Sequence, residues 1–381
     1  MMALAVMAGT CAMTAQESSE PKFKINPTGR ILMDGALYAS PQKELFKDGV
    51  AIPDARLGVK MSYGKWKAKI DVGFAYNKVG LKDLYMEYDF NESNIIRAGS
   101  FIHQYGLQSA TSSSMKPTME EPVSNAIFND ARQLGVMYVH SADKFLGTLS
   151  AHAEPAATTF ILRPDQFTQE GYGFRSRLVY RPFHTDGLNF QVGISGAFGT
   201  PQRTGDDDNP HDSFRFKSNF PTRETQVTAL DASVDHAMNQ WKFTPELLLS
   251  YGPVALESQY FFNRVNRRDG LHSFTGQGAY CTLRGLILGD RHYSYSMFDG
   301  GLATPKKGTL ECVLDYNYTS VTDSKAAIYG GRLNDFSVTF NYYINKYMLA
   351  RLHYSYTYTW DRAGVGPRTL NGFMARLQVI F

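Results

Sequence analysis

Residues 370–381 read LNGFMARLQVIF, and the fold turns on how that ending divides. Phe373, Ala375, Leu377, Val379 and Phe381 fall on one parity, Met374, Arg376 and Gln378 on the other. A period of two belongs to a β-strand whose faces meet different surroundings. Residues 347–360, YMLARLHYSYTYTW, repeat it: Leu352, Tyr354, Tyr356, Tyr358 and Trp360 oppose Arg351, His353, Ser355, Thr357 and Thr359. Leu188, Phe190, Val192, Ile194 and Phe198 oppose Asn189, Gln191 and Ser195; Trp66, Ile70, Val72, Phe74 and Tyr76 oppose Lys65, Lys67, Lys69 and Asp71. Charge at mid-strand on one face, with aromatics towards the ends of the other, describes a wall between lipid and a wet lumen.

Composition agrees. The chain has 381 residues, and 13% are aromatic, which suits strands and membrane interfaces. No apolar run is long enough for a helical span, but a barrel exposes only alternate residues to lipid. The 39 Lys+Arg against 36 Asp+Glu leave a net charge of +3, which argues against a nucleic-acid binder.

Alternating stretches lie near 28–39, 52–63, 65–76, 82–90, 94–101, 132–141, 145–153, 171–181, 188–198, 224–237, 241–251, 254–264, 277–288, 309–319, 332–343, 347–359 and 371–381. Tight turns at Gly64, 91–94, 141–144, 184–187, 252–253 and 345–346 contrast with long polar loops at 40–51, 102–131, 154–170, 199–223, 265–276, 320–331 and 360–370. Short turns on one side and long loops on the other fit an outer-membrane barrel. With both chain ends in the periplasm the strand count must be even. Counts from the two ends agree only if 224–237, poor in large lipid-facing residues, is an outside excursion. The expected fold is all-β: a transmembrane antiparallel β-barrel of 16 strands.

Residues 1–15, MMALAVMAGTCAMTA, read as a secretory signal peptide without a basic start, since the first lysine is Lys22. A short buried helix, or lipid attachment at Cys11, are the alternatives. The expected organisation is signal peptide 1–15, periplasmic segment 16–27 and barrel 28–381. Cys281 and Cys312 lie in different strands, and their pairing is left open.

With the strands in place, the chain resembles the bacterial phosphate-selective porins O and P from about residue 28 to the end. The likeness rests on Thr111-Ser112-Ser113, Met119-Glu120, Asn125-Ala126, Arg132 to Val136, Gly171-Tyr172-Gly173 with Arg177, Phe214 to Ser218 with Glu224, Pro245-Glu246 through Gly252-Pro253 to Tyr260, Gly331 to Asp335, and Ala375 to Phe381. The resemblance implies a 16-stranded channel without catalysis, often a homotrimer, whose third loop folds into the lumen and narrows it. That loop is 102–131, the longest outside connection, and ordered loops of such length are usually functional. Constriction residues carried over are Met119, Glu120, Glu121, Asn125 and Arg132; the basic outside loop is Arg215, Lys217 and Arg223. Glu121 stands where the family commonly has arginine, and Arg223 displaces a base of the outside loop, so phosphate selectivity is what these departures put in doubt.

Polar parity marks the anion-guiding residues, because rings or ladders of Lys and Arg attract anions. Arg56, Lys60, Lys65, Lys67 and Lys69 crowd one hairpin around Gly64. Glu87 and Asp89 fall beside them on the next strand, so a cross-strand salt-bridge patch is the competing reading. Arg175, Arg177 and Arg181 face the uncharged Asn189, Gln191 and Ser195, and Arg351 lies on the same inner parity. The row at 175–181 is therefore the first expectation for guiding anions.

Other chemistry is thin. Asp206-Asp207-Asp208 reads as a solvated loop tip rather than a cation site. No motif presents a nucleophile, and neither metal nor cofactor is expected. The functional expectation is an outer-membrane porin in contact with lipid, passing small hydrophilic solutes with anion or phosphate preference. A non-transporting barrel that scaffolds surface complexes, and a barrel lipid hydrolase, are the alternatives.

Overall fold

The computed structural model describes residues 21–76, 78–111, 116–129, 132–153, 167–169, 171–204 and 212–381. The signal peptide, Cys11 and Asp206-Asp207-Asp208 lie outside the described residues.

Strict alternation closes into one barrel. Its wall strands are β1 (Lys24–Tyr38), β2 (Gly49–Tyr63), β3 (Trp66–Ala75), β4 (Lys78–Asn91), β5 (Asn94–Phe101), β6 (Gln133–Ser141), β7 (Phe145–Ala153), β9 (Tyr172–Thr185), β10 (Leu188–Gly199), β14 (Ala237–Tyr251), β15 (Val254–Arg267), β16 (Phe274–Leu288), β19 (Thr309–Asp323), β20 (Ile328–Tyr343), β21 (Met348–Arg362) and β22 (Arg368–Ile380). The remaining strands form three small sheets: β8 (Phe167–Gln169) with β11 (Arg203–Thr204), β12 (Ser213–Asn219) with β13 (Thr228–Asp235), and β17 (Tyr295–Ser296) with β18 (Gly301–Leu302). Each wall strand is antiparallel to its neighbours. β1 closes onto β22, with Arg30 opposite Ile380 and Tyr38 opposite Gly372. The Gly29 N–H donates to the Phe381 carbonyl at 2.8 Å, and the Phe381 N–H donates back at 3.0 Å. Closure leaves no sheet edge in the bilayer.

Parity decides exposure. Trp66 and Phe373, on the lipid side, are 49% and 62% exposed; Arg177 and Arg351, on the inner side, are 0% and 3%. The excluded stretch 224–237 forms β13, which pairs with β12 apart from the wall. β1 already begins at Lys24, so pairing reaches into the segment expected to precede the barrel. The loops expected at 265–276, 320–331 and 360–370 shrink to 268–273, 324–327 and 363–367. Their flanks continue the ladder, as at Thr322 opposite Tyr329 and Asp323 opposite Ile328.

The start of β1 and the end of β22 lie at one end of the barrel, here the terminal end. Connections there are tight at 64–65, 92–93, 142–144, 186–187, 252–253 and 344–347. Residues 289–308, between β16 and β19, break that rule and carry β17 and β18. At the far end the interior is dry rather than wet. Phe216, Phe220, Leu230 and Val234 of the β12–β13 hairpin pack with inner-face Phe261, Phe274, Leu333 and Leu370. Phe216 stacks on Phe274 at 5.4 Å, and Phe220 meets Phe46 edge-on at 5.0 Å.

The ladder separates the two cysteines: Cys281 lies opposite Tyr316, whereas Cys312 lies opposite Gly285. A four-residue offset at roughly 3.4 Å per residue exceeds any disulfide span. Both thiols are free. Alkylation of unfolded, unreduced protein should therefore label both, and mass spectrometry of the peptides checks it; an unlabelled pair would contradict the register.

Candidate functional site

β1 to β5 place their polar parity around a cavity of about 550 Å³. The wall contributes Arg30, Arg56, Lys60, Lys69 and Arg97, with Arg132 from the start of the strand beyond; Asp71 and Asp83 are the acids among them. Ser109 and Thr111 on one side, and Ser296, Asp299 and Thr304 on another, complete the lining. Lys82 also turns inward, its stem lying where a side chain at Gly73 would stand.

The bases are partly neutralised. Arg30 and Arg56 both bind Asp54, the latter through Nε at 2.8 Å and Nη2 at 2.7 Å. Lys69 bridges Asp71 at 2.6 Å and Asp83 at 2.7 Å, and Arg132 reaches Asp83 at 2.6 Å. Arg97 holds Glu87 at 2.5 Å. Lys60 and Lys82 make no ion pair among the described residues.

Of the crowded hairpin, Arg56, Lys60 and Lys69 line the cavity. Lys67 stands at its mouth, paired with Asp89 at 2.5 Å and Glu87 at 3.5 Å, and Lys65 donates to the Phe90 carbonyl at 2.8 Å. The cross-strand salt-bridge patch is thus present at Lys67 and Lys69.

The row at Arg175, Arg177 and Arg181, expected to face uncharged neighbours, is engaged with protein groups. All three are buried, Arg177 and Arg181 at 0% exposure. Arg175 donates to Gln133. Arg181 binds the Met297 and Asp143 carbonyls and the Ser141 hydroxyl. Arg177 grips Glu246 with Nη2 at 2.7 Å and Nε at 3.0 Å. Glu246 lies opposite Gly193, whose missing side chain lets the carboxylate lean across β10. Arg351 is buried as well: it donates to Asn341 at 2.6 Å and to the Lys116 carbonyl at 2.7 Å.

The segment between β5 and β6 carries α1 (Gly106–Ala110) and α2 (Val123–Phe128) and touches inner-face residues of distant strands. The Gly106 N–H donates to Ser195 at 2.9 Å, Asn317 donates to Ser124 at 2.6 Å, and Asn341 donates to the Pro117 carbonyl at 2.8 Å. Met119 is buried, and its carbonyl accepts from Arg376 at 2.6 Å. Glu120 bridges Arg376 at 2.8 Å and Arg223 at 2.7 Å. Burial pushes the Glu120 carboxyl up, but Arg223 and Arg376 outweigh it and hold it below its ordinary range. Glu121 accepts from Asn125 at 2.7 Å and lies 4.0 Å from Lys116, whose burial lowers its own affinity for protons. Of the basic outside loop, Arg223 therefore reaches this segment. Arg215 stays on the β12–β13 hairpin, bound to Asp231 at 2.9 Å, with Lys217 two residues on in the same strand.

Sequence reasoning passed over residues 289–308 and the pairing of Glu246 with Arg177. The signal for the first was present: GDRHYSYSMFDGGLATPKKG carries turn-formers at both ends and at Gly300-Gly301 in its middle, too much chain for a tight turn. Among the described residues no group of three or more His, Cys, Asp or Glu is placed to hold a metal ion.

A family model described as phosphate-selective porin O and P matches residues 25–381. Among solved structures, the anion-selective porin from Comamonas acidovorans superposes with a TM-score of 0.61 at 10% identity, covering 94% of this chain and all of that one (100%). The outer-membrane channel DcaP of Acinetobacter baumannii gives 0.57 at 12% identity, covering 94% and 97%. OmpT of Vibrio cholerae, in a trimer form, gives 0.55 at 11% identity, covering 94% and 99%. At such identity these likenesses speak to fold alone. No curated relative matches the chain.

Proposed function

The chain belongs to the phosphate-selective porin O and P family, and from that premise we propose that its barrel passes small anions along the β1–β5 wall. It is an outer-membrane porin, a passive diffusion channel of the bacterial outer membrane. The finer reading concerns selectivity. One observation carries it: six basic side chains line the cavity, Arg30, Arg56, Lys60, Lys69, Arg97 and Arg132, against the five carboxylates of Asp54, Asp71, Asp83, Glu87 and Asp299 that line it or bind those bases, and Lys60 has no ion pair among the described residues. Fixed charge in a narrow wet passage raises the concentration of counter-ions there.

The preference is for anions in general. Glu121 is an acid where a base would be needed, and Arg215 is engaged with Asp231, so neither position supplies a free base for dedicated phosphate capture. Residues 103–111 and 116–128, with Met119, Glu120, Glu121 and Asn125, form the constriction beside this wall, and Arg223 braces it from outside. Permeation here needs no catalytic group. We read the assembly as a homotrimer, in keeping with the trimer form described for OmpT.

Lys60 and Lys82, having no ion-pair partners among the described residues, are the cleanest test. One unit charge at 4 Å is worth about 1 kcal/mol in water, so Lys60→Gln alone should lower anion preference roughly five-fold, and Lys82→Gln added to it should lower it further. Reversal potentials in a chloride gradient measure it, and an unchanged potential refutes the role given to this wall.

The apolar packing of the β12–β13 hairpin favours one second reading, a non-conducting scaffold. Wild-type protein that inserts into bilayers without conductance steps would select it.

A further inference from the structure

Residues 289–308 enter the lumen from the terminal end, where every other connection is a tight turn. Their seat is polar. The carbonyls of Tyr293, Met297, Asp299 and Gly300 accept bonds from Asn189, Arg181 and Arg177 on the inner wall. Apolar burial contributes little at the tip: Met297 and Phe298 remain 36% and 42% exposed. Ser296, Asp299 and Thr304 form one side of the anion cavity, so the seat of this insert decides where that side stands.

We propose that Arg177 is a latch that holds the insert in the lumen and so sets the open width at the terminal end of the pore. The inference rests on the channel reading for its consequence, but not for its geometry.

A guanidinium has five N–H donors, and Arg177 uses all of them. Nε and one Nη2 hydrogen go to Glu246 at 3.0 and 2.7 Å. The other Nη2 hydrogen goes to the Gly300 carbonyl at 2.9 Å. Nη1 binds the Asp299 carbonyl at 2.9 Å and Gln104 at 3.2 Å. One side chain thus ties the wall, the insert and the β5–β6 segment together. A buried ion pair repays its desolvation only when its remaining donors and acceptors are satisfied, and here the insert supplies two of the acceptors. Glu246 is filled in the same way: Gln191 donates to it at 2.6 Å and to the Gly300 carbonyl at 3.0 Å.

Gly300 is the matching half. Its φ of +61° lies in the left-handed region that favours glycine. A Cβ there would stand 2.7 Å from Leu146 and 3.3 Å from the Arg177 guanidinium. The backbone comes this close to Arg177 only without a side chain.

Two variants break the latch from opposite sides. Arg177→Met with Glu246→Leu removes both charges together, so no lone carboxylate is left buried; Gly300→Val leaves the wall untouched. Hydrogen exchange on the full-length barrel in detergent reads the insert without any need for conduction. Protection of amides 293–303 should be lost in both variants while the wall strands β14, β15, β16, β19, β20, β21 and β22 stay protected, and single-channel conductance should rise about two-fold or more as the passage widens. Unchanged protection in both variants overturns the latch, as does lost protection with unchanged conductance. If wild-type protein does not conduct at all, the channel reading fails, and the exchange result alone then decides whether Arg177 holds the insert.

Discussion

Arg284→Met is expected to destabilise the barrel more than any other single change considered, by about 3–5 kcal/mol, the usual cost of leaving buried charge without its partner. Arg284 on β16 lies between Glu257 at 2.7 Å and Glu311 at 2.8 Å, with side-chain exposures of 5%, 6% and 0%. Methionine keeps most of the volume but abandons two carboxylates in one dry pocket. Glu311 retains bonds from Tyr293 and Tyr343, both at 2.8 Å, which orient it without neutralising it. Glu257 has no second basic side chain in ion-pair range among the described residues. The triple change Glu257→Gln, Arg284→Met, Glu311→Gln should recover most of the loss, since removing a whole buried cluster is often near neutral. Urea unfolding, followed by the gel shift between folded and unfolded barrel, measures both. A single variant as stable as the triple one would show that the cluster is hydrated.

Glu120→Gln is expected to move selectivity in the opposite direction from Lys60→Gln and by as much. Glu120 is the carboxylate shared by Arg223 and Arg376. Asp34 still holds Arg376 at 2.6 Å, so the amide uncovers chiefly Arg223. One unit charge at close range corresponds to about 1 kcal/mol, so anion preference should rise roughly five-fold. Protonation provides the same change reversibly, and its sign follows from the depressed acidity of this group. A carboxyl lowered in the folded state contributes stability above the ordinary glutamate value of about 4.3, and loses it as pH falls through its own lower value. Selectivity should therefore stay constant from pH 8 to pH 5 and increase only in stronger acid. A change in selectivity centred near pH 6 would place some other group in control.

Most of the wall was legible in the sequence, because a period of two fixes parity and parity fixes which side meets lipid. The ending at Phe373 to Phe381 sufficed to orient the last strand. Parity also separated β13 from the wall, since Thr228–Asp235 offers few large outward side chains. What parity could not give was the content of the lumen. Arg177 looked unneutralised because the next strand carries Asn189, Gln191 and Ser195. Its partner Glu246 comes from β14, which pairs with β10 only after the chain has made the excursion between them. Residues 289–308 lie between two well-formed strands and have no alternation of their own. Their contacts come from the inner wall, which exists only once the barrel has closed. The dry far end was hidden for a related reason. Phe261, Phe274 and Leu333 sit on inner parity, yet they are covered by the β12–β13 hairpin from a distant stretch of chain.

Anion passage along the β1–β5 wall is tested most directly by the reversal potential of single wild-type channels in a planar bilayer across a potassium chloride gradient. Six bases against five acids around the cavity, with Lys60 outside any ion pair among the described residues, call for a potential of the sign set by chloride. A potential of the sign set by potassium would contradict the account at its centre.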